Sequence, residues 1–216
     1  MRITHTQLTA WIEEAGTSAP GMRATARRIA GELKDTDAAE VIALVVRLVE
    51  QATWRHRILG YEILCAHKPA FHALDETTLE RLGCGNNDWA TVDAFACYLV
   101  GPAWLAGRIS DKRMLRWATS KNLWLRRTAL AASTILNKRS FGGYGDTGRT
   151  MMVCTPNAAD REDMIVKALS WALRSLVPWD RSAVQSFLAE YDGVLAPRVK
   201  REVKTKLTTG LKNRRK

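Results

Sequence analysis

The chain has 216 residues and a mass of 24.2 kDa, enough to bury a sizeable core and most simply one compact domain. Its 33 Lys and Arg outnumber 22 Asp and Glu for a formal charge of +11, which points to an anionic partner such as nucleic acid or a membrane surface. The cysteines Cys65, Cys84, Cys97 and Cys154 form no C-x-x-C pair, and no stretch approaches the roughly 18 apolar residues of a membrane span, so a disulfide scaffold, a zinc site and an integral membrane protein are all disfavoured.

Apolar residues recur at intervals of three and four, as in Val41, Leu44, Val45, Leu48 and again in Ile58, Tyr61, Leu64, Cys65. That period predicts an all-α chain. Helices are expected at about 6–15, 20–34, 37–51, 54–67, 75–83, 88–100, 110–119, 122–137, 160–176, 180–190 and 195–209, separated by short Gly, Pro or Asn breaks. Helix pairs of this size in series are similar to an α-solenoid of the HEAT type, whose repeat runs to about 40 residues. The first 15 residues show no apolar run with a cleavage site, so a soluble protein of the reducing cytoplasm is expected.

In the helix over 88–100, Asp93 is the only charged residue between positions 89 and 107. It follows Trp89 by four residues, so the two share a helical face and set a negative charge beside an aromatic plane. Such a pair suits a flat cationic ligand. Alternatively, Asp93 is a buried structural carboxylate accepting bonds from an arginine or from backbone amides. Asn86, Asn87 or Asp88 is placed to cap the helix, which leaves Asp93 in its interior.

The helix over 122–137 places Trp124 three residues before Arg127, so the arginine is expected to project beside the indole rather than into the core. Phosphate binding and a surface salt bridge are both open to it. Segment 137–160 breaks the pattern with F-G-G-Y-G-D-T-G and is read as a flexible insertion followed by a short helix. Gly143, Gly145 and Gly148 satisfy G-x-G-x-x-G, but a dinucleotide site needs a preceding strand and a long helix immediately after, and neither is expected.

Over 160–176, Ile165, Ala168, Leu169, Ala172 and Leu176 form a core stripe, while Lys167, Trp171 and Arg174 mark another face. An indole between two cations is either part of a recognition surface or packed on a neighbouring helix with the cations snorkelling around it. Trp171 precedes Arg174 by three residues, as Trp124 precedes Arg127, which suggests equivalent helices facing one surface. From 198 to 216 there are nine basic residues and one acid, readable as a solvated last helix with a basic tail over about 210–216 or as a phosphate-tracking arm. His5, His56, His67 and His72 lack any compact ligand spacing, so neither a metal nor a cofactor is expected.

The blocks N-D-W-A-T-V-D (87–93), N-L-W-L-R-R-T-A (122–129) and I-V-K-A-L-S-W-A-L-R (165–174) together resemble the AlkD-like DNA alkylation repair enzymes, in order and approximate spacing, over roughly residues 40–210. The resemblance implies a HEAT-like solenoid, a right-handed stack of antiparallel helix pairs whose concave basic face grips duplex DNA. It implies a monomeric DNA glycosylase that removes cationic alkylated purines, N7-alkylguanine and N3-alkyladenine, near the nucleoid. By position, Asp93 would be the catalytic carboxylate, Trp89 and Trp171 the aromatic walls around the damaged nucleotide, and Arg127 a phosphate contact. Trp124, Lys167 and Arg174 would join it in binding DNA.

Two departures bear on substrate scope. Ala90 stands where many relatives carry a second acid, and the glycine-rich segment lies beside the middle block. Two other functions fit the same features: a non-catalytic binder of branched or damaged DNA, and a HEAT-like protein-interaction scaffold.

Overall fold

The computed structural model describes residues 5–51 and 53–212; the last residues of the basic tail lie outside them. Every regular element among the described residues is helical, as the three-and-four apolar period requires. The chain divides into two compact units, Met1–Leu99 and Val100–Lys216.

The first unit holds α1 (His5–Ala15), α2 (Ala19–Glu32), α3 (Ala38–Glu50), α4 (Trp54–Ala66), α5 (Lys68–His72), α6 (Glu76–Gly83) and α7 (Trp89–Phe95). Its centre is α4, which packs against α2, α3, α5 and α7. Seven α4 residues are buried: Arg57, Leu59, Gly60, Tyr61, Glu62, Ile63 and Leu64. A helix covered on all sides needs no single apolar stripe. Gly60 permits the close approach of α3, because a Cβ there would lie 3.0 Å from Val45 Cγ1.

The expected helix over 54–67 stops at Ala66, and a separate short helix, α5, follows. His67 makes the break. Its backbone is extended, and its Nδ1 accepts from the Ala70 amide at 3.2 Å while Nε2 donates to the Leu33 carbonyl at 3.0 Å. Pro69 at the start of α5 suits a first turn, where its missing N–H leaves no bond unmade.

The expected helix over 88–100 is also divided: α7 ends at Phe95, a π-helix spans Ala96–Val100, and α8 (Gly101–Leu105) follows. Pro102 accounts for the change, since it cannot donate to the preceding turn and its ring crowds the carbonyl one turn back.

The second unit continues with α9 (Asp111–Ala118), α10 (Leu123–Leu136), α11 (Thr147–Cys154), α12 (Asp163–Leu176), α13 (Arg181–Glu190) and α14 (Pro197–Thr209). Here α10 is the covered centre, packed on α8, α9, α11 and α12 and buried continuously from Arg127 through Leu136. A Cβ on Gly101 would lie 2.6 Å from Ile135, so α8 and α10 meet at a glycine, as α3 and α4 do at Gly60. The short connections α3–α4 and α9–α10 join packed neighbours, the arrangement of an all-α helical repeat.

The glycine-rich segment is not the flexible insertion expected. Gly143 and Gly145 donate backbone bonds to Lys138 and Leu136 at 3.1 Å each. A Cβ on Gly143 would fall 2.4 Å from the Ile135 oxygen, and one on Gly145, whose φ is +85°, would fall 2.6 Å from Trp179. These glycines let the turn pack tightly against α10 and Trp179. Trp179 in turn donates its Nε1–H to the Asn137 carbonyl at 2.9 Å.

Candidate functional site

In the first unit, α7 carries Trp89 and Asp93. Asp88 is the cap, accepting from the amides of Ala90 at 2.8 Å and Thr91 at 3.0 Å and from the Thr91 hydroxyl at 2.7 Å. The cap makes Trp89 the first residue of the helix, with its indole 59 % exposed. Asp93, one turn later, is half-buried. The face expected from their spacing therefore pairs an open aromatic surface with a partly desolvated carboxyl group.

Helix α4 holds α7 at both ends. At the entrance, Arg57 Nη1 donates to the Cys84 carbonyl at 2.8 Å and to Asn86 Oδ1 at 3.2 Å. The Tyr61 hydroxyl lies 3.0 Å from the same Asn86 oxygen and 2.9 Å from the Leu82 carbonyl. In the middle, the rings of Tyr61 and Phe95 pack 5.4 Å apart, and Phe95 fills the space at Gly83, where a Cβ would lie 2.6 Å from the ring.

Beyond α7, Tyr98 of the π-helix interacts with the Glu62 carboxyl group and favours its ionised form. Burial pushes Glu62 above the usual carboxylate range, against the opposing pull of Arg23, Tyr98 and Arg27. Burial likewise raises Tyr98. The sequence carried a weak signal for these supports: Arg57 and Glu62 fall among the apolar residues of a helix that also carries Arg55 and His56, with no indication of what they would meet.

In the second unit, the core stripe of α12 is as expected, with Ile165, Ala168, Leu169, Ala172 and Leu176 all at 1 % exposure or less. Trp171 and Trp124 are both half-buried. The arginines that follow them are engaged internally. Contrary to the expected projection beside the indole, Arg127 is only 6 % exposed and donates from Nη1 to the Met164 carbonyl at 2.6 Å. It fastens α10 to the first turn of α12.

Arg174 is drawn the same way. Its Nε donates to Ser170 Oγ at 3.2 Å, Ser170 donates to Glu202 Oε2 at 2.7 Å, and Arg174 Nη2 lies 3.6 Å from that carboxylate. Burial lowers the Arg174 pKa, while Glu202 works to raise it. Glu202, 7 % exposed, also takes Arg198 Nε at 2.9 Å. Burial opposes its ionisation, but the bonds from Ser170 and Arg198 and the charges of Arg174 and Arg198 hold it below the ordinary carboxylate value.

Lys167 ends this face with an ion pair to Asp163 at 2.6 Å, one turn earlier on α12. The hydrogen bond from Lys167 is the main cause of the lowered Asp163 pKa. Trp171 is thus the large aromatic on a face whose two cations already have acidic partners on α12 and α14.

No group of three His, Cys, Asp or Glu among the described residues could hold a metal ion, and His67 spends both ring nitrogens on backbone groups. Cys154 is fully buried, and burial raises its thiol far above the usual range. No helix among the described residues is long and apolar enough to cross a membrane.

Compared with known proteins, residues 10–207 match a family model described as DNA alkylation repair enzyme. No curated protein and no solved structure matches the chain.

Proposed function

Because the chain belongs to the DNA alkylation repair enzyme family, we propose that it is an alkylpurine DNA N-glycosylase, hydrolysing the bond between deoxyribose and a cationic alkylated purine in duplex DNA. The observation that carries this reading is the half-buried Asp93 one helical turn after the exposed indole of Trp89. A purine alkylated at N7 or N3 already bears a positive charge, so it leaves with the bonding electron pair without needing a proton from an acid. Charge then builds on the sugar as an oxocarbenium-like centre, which one carboxylate stabilises while orienting the attacking water. The new bond joins the water oxygen to C1′, the water gives up its proton to the carboxylate or to solvent, and the base departs neutral.

In the first unit Trp89 offers an indole face to the cationic nucleotide; in the second, Trp171 is assigned the same role and Trp124 a DNA-binding one. Lys167 supplies positive charge at a partly exposed position. Arg127 and Arg174 hold α12 in place for this surface, and either reaches a phosphate only by exchanging the internal partners it has. The enzyme acts as a monomer, and water is the only co-reactant.

The test is base release from duplex containing N7-methylguanine under single-turnover conditions. Wild type is expected to release the base, and Asp93→Asn to lose about 100-fold or more in rate with DNA affinity little changed, the usual scale for one stabilising group at a developing charge. Equal rates for the two proteins would overturn the catalytic assignment. Tight binding of junctions with no base release by wild type would instead favour a non-catalytic binder of branched DNA.

A further inference from the structure

We propose that the turn over residues 138–146 is a second DNA contact, in which Lys138 and Arg139 take backbone phosphates and the exposed ring of Tyr144 packs against the adjoining sugar or base. The inference rests on the reading that the chain acts on DNA, and adds to it a surface built by a segment outside the α7 and α12 faces.

Tyr144 is 60 % exposed at the tip of the turn. A large aromatic held in water on a mobile loop could fold back; this one cannot. Gly143 and Gly145 on either side are packed so closely that neither has room for a Cβ, and both amides are bonded to the end of α10. The phenol donates to Asp146 Oδ2 at 3.2 Å. The ring is therefore presented outward in a fixed position, and an ordered aromatic loses little entropy when a partner covers it.

The cations are fixed in the same manner. Lys138 Nζ lies 4.7 Å from the centre of the Phe141 ring, and Arg139 is stacked 4.8 Å over Trp179. Both remain exposed, and neither is ion-paired among the described residues. Stacking immobilises the cation without neutralising it, so its charge stays available.

The acids nearby are committed elsewhere. Asp146 caps α11 through the Arg149 amide at 2.9 Å. Asp180 accepts from the Ala183 amide at 2.9 Å, from Ser182 at 2.9 Å and from Thr147 at 2.8 Å. A rigid turn with two unneutralised cations and an outward aromatic matches a polyanion that carries flat or ring-shaped units between its charges. Nucleic acid has that chemistry.

The experiment measures binding of a labelled, undamaged duplex over a series of salt concentrations for wild type, Lys138→Gln, Arg139→Gln and Tyr144→Ala. Each cation variant is expected to bind about three- to tenfold more weakly, with the slope of log affinity against log salt shallower by about one. Tyr144→Ala should weaken binding by a similar factor with the slope unchanged. Lys138→Gln and Tyr144→Ala remove exposed groups and should melt like wild type, so their affinities report contact rather than folding. Wild-type affinity and slope in both of these variants would overturn the proposal.

Base release separates this inference from the preceding one. At saturating enzyme the turn variants should cleave bound N7-methylguanine duplex at the wild-type rate; a slower rate there with unchanged affinity would also overturn the proposal. Absence of base release in wild type, with the binding losses intact, would remove the glycosylase reading and leave the turn as a DNA contact.

Discussion

Arg127 shows how far a side chain's role can shift once its surroundings are known. Three residues after Trp124, it has the position of a surface cation, yet its guanidinium is covered and bonded to the Met164 carbonyl. A buried hydrogen bond from a charged donor contributes about 1.5–3 kcal/mol. Arg127→Met should therefore lower the urea-unfolding free energy by roughly that amount with the m-value unchanged; a loss confined to DNA affinity would show that the guanidinium works outside the fold.

Two buried carboxyl groups make opposite predictions about pH. Glu202 is held below its ordinary value of 4.5, so between the two values the native state binds fewer protons than the unfolded chain, and stability is lost as the pH falls through that window. Glu62 is raised above 4.5, so the native state binds more protons and stability is lost as the pH rises through the window above that value. Urea midpoints measured against pH should show the acid-side loss flattened in Glu202→Gln and the decline above 4.5 flattened in Glu62→Gln.

At the scale of the element, α7 depends on parts of the chain remote in sequence. Its cap was legible only as one of Asn86, Asn87 and Asp88, and the structure selects Asp88, whose carboxylate accepts from the Thr91 amide. Its end was not: the period of apolar residues runs on past Phe95, and only the lost bond at Pro102 turns the helix into a π-turn. Nor could the pattern reveal that Arg57, Tyr61 and Glu62 of α4 hold its two ends, since partners about 30 residues apart leave no periodic trace. Gly83→Ala tests the arrangement, because its Cβ would meet the Phe95 ring at 2.6 Å. A cost of about 1–3 kcal/mol in stability is expected, with a fall in base release beyond the unfolded fraction as α7 shifts. Wild-type release by the folded variant would show that the placement of Asp93 tolerates the displacement.

For the whole molecule, the charge of +11 predicts that affinity for undamaged duplex falls by orders of magnitude between about 50 and 200 mM salt; titrations showing a nearly flat dependence would point away from phosphate neutralisation as the basis of binding. That charge, the all-α class, the core stripe of α12 and the family were all readable in the residues themselves, because composition, helical period and ordered local motifs need no knowledge of what lies across space. Tertiary structure alone decided that α4 and α10 are enclosed on every side, that Arg127 and Arg174 turn inward, and that the glycines around Tyr144 make a rigid turn rather than a loose one. Each of those outcomes depends on which surfaces meet, and a side chain's burial and partners are properties of that meeting rather than of its place in the chain.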